Sequence, residues 1–164
     1  MKKNLQISIA TLLLAATLII SCSKKEETAI TSVIDRGYFG VGTVKHTVYS
    51  VSNTLAGDST AYIIQAGAEI PNEQGFMYFK GFGSNGIGTQ MTTGTYKVVY
   101  LCDTCKYILK PFDVLLTILT KEGGGKATSG TMDVVVDKGK LTATFSNITL
   151  DKTALLGFGK IILP

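Results

Sequence analysis

Cys102 and Cys105 are two of only three cysteines in the chain, and their spacing allows three kinds of chemistry. If Cys102-Asp103-Thr104-Cys105 forms a β-turn, its end Cα atoms come within about 7 Å, a span that a disulfide tolerates; in an extended segment they could not pair. A disulfide is therefore the first reading. Closing so small a loop stabilises by only roughly 2 kcal/mol in the chain-entropy model, so the bond would pin a hairpin tip more than the whole fold. A thioredoxin-like redox pair is the sharper alternative. It needs its first cysteine at a helix N-terminus, where the thiol pKa is lowered, whereas residues 97–101 and 106–109 flank the motif with strand-like composition. Lys106 is one cation that would favour a thiolate. A zinc half-site has no second cysteine pair to complete it, and His46 is the only histidine.

His46 stands in an alternating segment with no neighbouring Ser-Asp or Glu arrangement to make it a general base, so it reads as a structural or surface histidine. Gly81-Phe82-Gly83-Ser84-Asn85-Gly86 has the lettering of a dinucleotide fingerprint. Those glycines work only where a helix follows to place its N-terminus under a pyrophosphate. Residues 87–94 instead carry two more glycines and three threonines, which predicts a loop or irregular edge. Phe76, Tyr78, Lys80 and Phe82 fall on one side of a predicted strand, with Met77 and Phe79 on the other. One side belongs to the core, and Phe76, Tyr78 and Phe82 form a candidate contact surface. The absence of tryptophan removes the favoured platform for stacking on sugar rings. No catalytic residue, metal ligand or cofactor is assigned.

The elements that must position these residues are strands. Eighteen glycines punctuate apolar stretches of five to nine residues, separated by Gly, Asp, Asn and Ser, a spacing that predicts hairpins. Residues 38–51 read as one alternating strand, residues 61–69 and 76–82 as two more, and residues 95–101, 106–109, 114–120 and 155–162 as others. The clearest hairpin has Met132, Val134 and Val136 on one arm and Leu141, Ala143 and Phe145 on the other, turned by Asp137-Lys138-Gly139-Lys140. Gly123-Gly124-Gly125 reads as a mobile loop. The expected fold is all-β, an antiparallel sandwich or partly open barrel of about eight or nine strands, in a single domain over residues 30–164.

Residues 1–21 lie outside that fold. Lys2 and Lys3 precede an apolar run from Ile7 to Ile20 broken only by Ser8, Thr11 and Thr17. That order marks a secretory signal, and the run falls short of the roughly 20 apolar residues a membrane helix needs. Ile19-Ile20-Ser21-Cys22 resembles the lipobox of bacterial lipoproteins, which implies cleavage before Cys22 and acylation of its sulfur and amino group. Two or more acyl chains hold a protein on a membrane far more firmly than one. The resemblance also implies an oxidising compartment in which Cys102 and Cys105 are the remaining pair. Residues 22–29 read as the lipidated cysteine and a solvated tether, whose Lys24-Lys25-Glu26-Glu27 resembles the surface-export signal of Bacteroidetes lipoproteins. Gly94-Thr95-Tyr96 and Ser129-Gly130-Thr131 resemble motifs of small β-sandwich lipoproteins of that phylum.

Loss of Lys2 and Lys3 with the leader lowers the formal charge from +4 to +2. With Arg36 the only arginine and lysines interleaved with acids, nothing predicts nucleic-acid binding. The expectation is an outer-membrane, lipid-anchored, non-catalytic binding or structural protein, periplasmic or surface-exposed, its partner an envelope protein, small molecule or glycan. Thiol-disulfide exchange or sensing through Cys102 and Cys105 is one alternative, and an envelope hydrolase is another.

Overall fold

Successive side chains of a strand point to opposite faces, so apolar residues at every second position can line one interior. The computed structural model describes residues 34–56, 59–66, 75–85, 89–102, 104 and 108–164. Cys22, the tether, Gly86, Cys105 and Lys106 lie outside the described residues. Ten strands follow in order: β1 (Gly37–Val41), β2 (Val44–Ala56), β3 (Ser59–Ala66), β4 (Gly75–Gly81), β5 (Gly94–Val98), β6 (Asp113–Thr120), β7 (Gly123–Ser129), β8 (Thr131–Asp137), β9 (Lys140–Leu150) and β10 (Thr153–Leu163).

The all-β expectation holds, and the ten strands make one sheet. Antiparallel neighbours run β1-β2-β3-β4-β6-β7-β9-β10, and β10 pairs back onto β1 through Gly37↔Ile161 to Val41↔Gly157. These eight strands therefore form a closed, barrel-like circuit, which leaves fewer backbone edges exposed than an open sheet. Past Gly130 the line of β7 continues as β8, which pairs with β9. β5 fills the remaining wedge, antiparallel to β8 and parallel to β6.

Inside lie Phe39, Val41, Ile64, Met77, Phe79, Tyr96, Val114, Ile118, Met132, Ala143, Ile148 and Ile161, each at most 1 % exposed. Tyr62 stacks on Phe79 with ring centroids 4.6 Å apart. Large side chains fill the interior as they fill small barrels generally. Phe82 and Met91 are buried too, just beyond β4 and just before β5.

Three strand expectations are corrected. Residues 38–51 are two strands, because Gly42, at φ +68°, reverses the chain and Val41 pairs with Val44. Gly123-Gly124-Gly125 opens β7 and is no loop. A Cβ on Gly124 would fall on the Ile118 carbonyl oxygen, and one on Gly125 on the Asp151 carboxylate, so the glycines let neighbouring backbone approach closely. Residues 108–109 are not strand. The predicted hairpin is present: Asp137 pairs with Lys140 around a two-residue turn whose Lys138 and Gly139 have φ +49° and +80°. Positive φ at both positions is the type I′ pattern that matches strand twist.

Candidate functional site

Two places combine polar chemistry with unusual surroundings, one inside the barrel and one on its outer face. The inner one is built on β2. His46 is opposite Phe39 across the β1–β2 pair, so it shares the inward face, and it is 3 % exposed. Its Nε2 lies 2.7 Å from Oε2 of Glu122, in the turn between β6 and β7. A carboxylate can only accept, so Nε2 carries the proton of this bond, and in the neutral ring Nδ1 is left as a lone pair. That Nδ1 is buried without a partner. Partial burial raises the Glu122 pKa, but hydrogen bonds from His46 and Thr120 outweigh it and hold the carboxyl below its ordinary range. The pair is a part-buried polar contact at one end of the core, tying the β6–β7 turn to β2.

A second buried polar group marks the opposite end. The Tyr96 hydroxyl donates to the Thr92 carbonyl at 2.9 Å and accepts from the Thr92 N–H at 2.8 Å. Thr60 Oγ1 donates to the Thr89 carbonyl at 3.1 Å. These bonds fix residues 89–93 in place. Burial pushes the Tyr62 hydroxyl up to about 12, with the nearby Tyr96 adding to the effect.

The outer site starts from cross-strand register. Tyr78 of β4 is opposite Thr117 of β6, and Thr117 is opposite Lys126 of β7. All three face outward, since Met77, Leu116, Ile118 and Ala127 beside them are buried. After β5 the chain crosses this face: the Val99 N–H donates to the Val114 carbonyl at 3.0 Å, and Lys126 Nζ donates to the Leu101 carbonyl at 3.4 Å. Between crossing segment and sheet is a cavity of about 140 Å³, open to solvent, lined by Tyr78, Val99, Leu101, Leu115, Thr117 and Lys126 among others. The lining is mainly apolar, with hydroxyl and ammonium groups among it.

Of the predicted contact surface, Phe76 and Tyr78 are half-buried and face outward, and Tyr78 lines this cavity. Phe82 does not belong to it. β4 ends at Gly81, so the alternation that would have carried Phe82 outward stops one residue earlier, and Phe82 is 2 % exposed. Its carbonyl accepts from the Phe112 N–H. Gly81 and Gly83 of the fingerprint-like stretch serve packing: a Cβ on Gly81 would crowd the Asp113 carbonyl and one on Gly83 would collide with Thr92, and Ser84-Asn85 is a turn. Cys102 is half-buried next to the cavity-lining Leu101, its Sγ 3.7 Å from Thr104 Oγ1. Sequence reasoning missed Glu122, which is 76 residues from His46, and also Lys126 and Val99, which only the crossing segment brings to Tyr78. No protein family matches the chain, and neither a curated protein nor a solved structure matches it.

Proposed function

We propose that the chain is a lipid-anchored envelope protein whose β domain acts without catalysis, binding a small apolar group on its outer face. The observation that carries the binding reading is the 140 Å³ cavity between residues 99–101 and the β4–β6–β7 face. An apolar cavity of about 150 Å³ is large enough for a benzene-sized group. The interior is filled by aromatic and branched side chains. The His46–Glu122 contact supports a structural role for that histidine, because its Nε2 is engaged by Glu122 and its Nδ1 is buried.

Anchoring rests on the leader and on Ile19-Ile20-Ser21-Cys22. Outer-membrane residence follows from the resemblance alone, since Ser23 is not the aspartate associated with inner-membrane retention in enterobacterial lipoproteins. A disulfide between Cys102 and Cys105 belongs to the same reading.

Two measurements test this. Intact-mass analysis of the purified protein is expected to show a chain beginning at Cys22 with acyl groups attached; an unmodified thiol or a retained leader would sink the anchor. NMR titration with benzyl alcohol, a neutral probe of the right size, is expected to move the amide signals of residues 99–101, 115–117 and 126–127. Movement confined to other regions would remove the cavity from the proposal.

A further inference from the structure

Resting on the lipid-anchor reading, we infer that the outer face of β9, β10, β1 and β2 lies against an anionic membrane surface. These strands are neighbours in that order. None of them contains an aspartate or glutamate, and their lysines are Lys140, Lys160 and Lys45. On β10, Leu156, Phe158, Lys160 and Ile162 face outward, because Gly157, Gly159, Ile161 and Leu163 between them are buried. Tyr38 of β1 and Lys45 and Thr47 of β2 share this side, alternating with buried Phe39, His46 and Val48. Tyr38 is opposite Lys160 on one side and Thr47 on the other.

The shape of the face suits an interface. Opposite the single residue Thr149, β10 carries Ala154, Leu155 and Leu156, so the strand bulges, and the two leucines are 43 % and 44 % exposed. Beside them β1 has glycines: a Cβ on Gly42 would touch Leu155, and one on Gly40 would strike the Phe158 ring. The β10 side chains therefore lie low across β1. Phe158 packs against Tyr38 at 6.3 Å, and Lys45 Nζ is 3.9 Å from the centre of the Tyr38 ring. Rings and lysine stems reach the acyl boundary while ammonium groups stay among the phosphates, and the leucines add apolar area to be buried there. Of the acids that border the face, Asp35 accepts from the Gly37 N–H, Asp133 from the Thr95 hydroxyl and Asp151 from the Lys126 N–H, and Asp137 is opposite Lys140.

The occupant is set by where the chain leaves. Residues 34–36 lead directly into β1, and the Arg36 carbonyl accepts from the Ile162 N–H of β10 at 3.0 Å. The stretch from Cys22 to Val33 reaches at most about 40 Å, whereas Leu155 and Leu163 are roughly 27 Å apart along β10. Acyl chains at Cys22 therefore keep this side of the domain within reach of the bilayer at high effective concentration. The contact turns an anchored domain and is too weak to recruit a free one.

The test places the full mature chain on vesicles of phosphatidylcholine, or of equal parts phosphatidylcholine and phosphatidylglycerol. A membrane-impermeant acylating reagent then labels its lysines for mass spectrometry. Labelling of Lys45 and Lys160 is expected to be about fivefold slower on the anionic vesicles than on the neutral ones, with Lys97 of β5 and the exposed Lys110 unchanged. Lys160→Glu should abolish the difference at Lys45, and Leu155→Ser with Leu156→Ser should remove most of it, both with the melting temperature kept because the side chains are exposed. A chain that floats with both vesicles while Lys45 and Lys160 label as Lys97 and Lys110 do would overturn the inference and leave the anchor standing. Equal slowing on the two vesicles, or slowing that persists in Lys160→Glu, would overturn the anionic surface as the occupant. A chain that floats with neither would sink the anchor, and the inference with it.

Discussion

His46 shows how one buried side chain can set both packing and acid sensitivity. It contacts Phe39 with ring centroids 6.4 Å apart and spends its one donor on Glu122. His46→Ala would open a cavity in the core and is expected to cost about 2–4 kcal/mol in chemical denaturation. His46→Leu keeps most of the volume and deletes the orphaned Nδ1, so it should cost clearly less, the part-exposed Glu122 turning to solvent. Because the folded Glu122 pKa is depressed, its contribution to stability is complete above the ordinary carboxylate range and is lost as pH falls through the folded value. Glu122→Gln should flatten that acid limb of a stability–pH curve; an unchanged limb would show that another group sets it. Tyr62 works at the other extreme of pH. With its folded pKa raised to about 12, the unfolded chain loses the phenolic proton first, so stability is level below the ordinary value of 10.0 and declines from there towards about 12. Tyr62→Phe should remove much of that alkaline decline, as followed by circular dichroism.

At the scale of elements, what the sequence made legible was whatever a few consecutive residues decide. The β8–β9 hairpin could be read directly, because alternation and a Lys-Gly turn are local signals that fix register together. The Gly-Thr-Tyr opening of β5 had to wait for the fold. A Cβ on Gly94 would strike the Phe112 ring, and that ring packs 5.3 Å from Tyr96, whose hydroxyl then ties down Thr92. Gly123-Gly124-Gly125 was misread for the same reason. A glycine run has the composition of a loop, and only the approach of β6 and Asp151 shows why side chains are excluded there. The two kinds of glycine should respond differently to substitution. Gly139→Ala has open space around it and pays only for its left-handed backbone, about 1 kcal/mol. Gly124→Ala must displace the β6 backbone as well, and a loss on the order of 3 kcal/mol is expected in urea unfolding. Equal losses would mean that β6 and β7 do not approach as closely as their register implies.

For the whole molecule, closure of the circuit through β10 and β1 surrounds a core of 26 buried apolar residues among the described residues of 34–164. The candidate cavity is a product of this architecture: β5 must pair parallel to β6, and the parallel pairing obliges the chain to cross the sheet before β6 begins. No local pattern announces such a crossing, which is why Tyr78 could be read as a contact residue while Lys126 and Val99 could not. The proposed membrane address, by contrast, rests on 22 consecutive residues read from the sequence alone. Address and fold should therefore separate experimentally. If the proposed lipid anchor is present, Cys22→Ser removes the sulfur that would carry the diacylglycerol and hence the anchor, whose hold would come from roughly 0.8 kcal/mol for each buried methylene. In cell fractionation the variant is expected to leave the detergent-extracted membrane pool, while its melting temperature in micelles stays within a degree or two of the parent, because the described core residues are unchanged. A variant that still fractionates with membranes would show that the β domain itself holds the bilayer, most directly through the exposed Leu155 and Leu156 of β10, and the anchor would then be the weaker of two attachments.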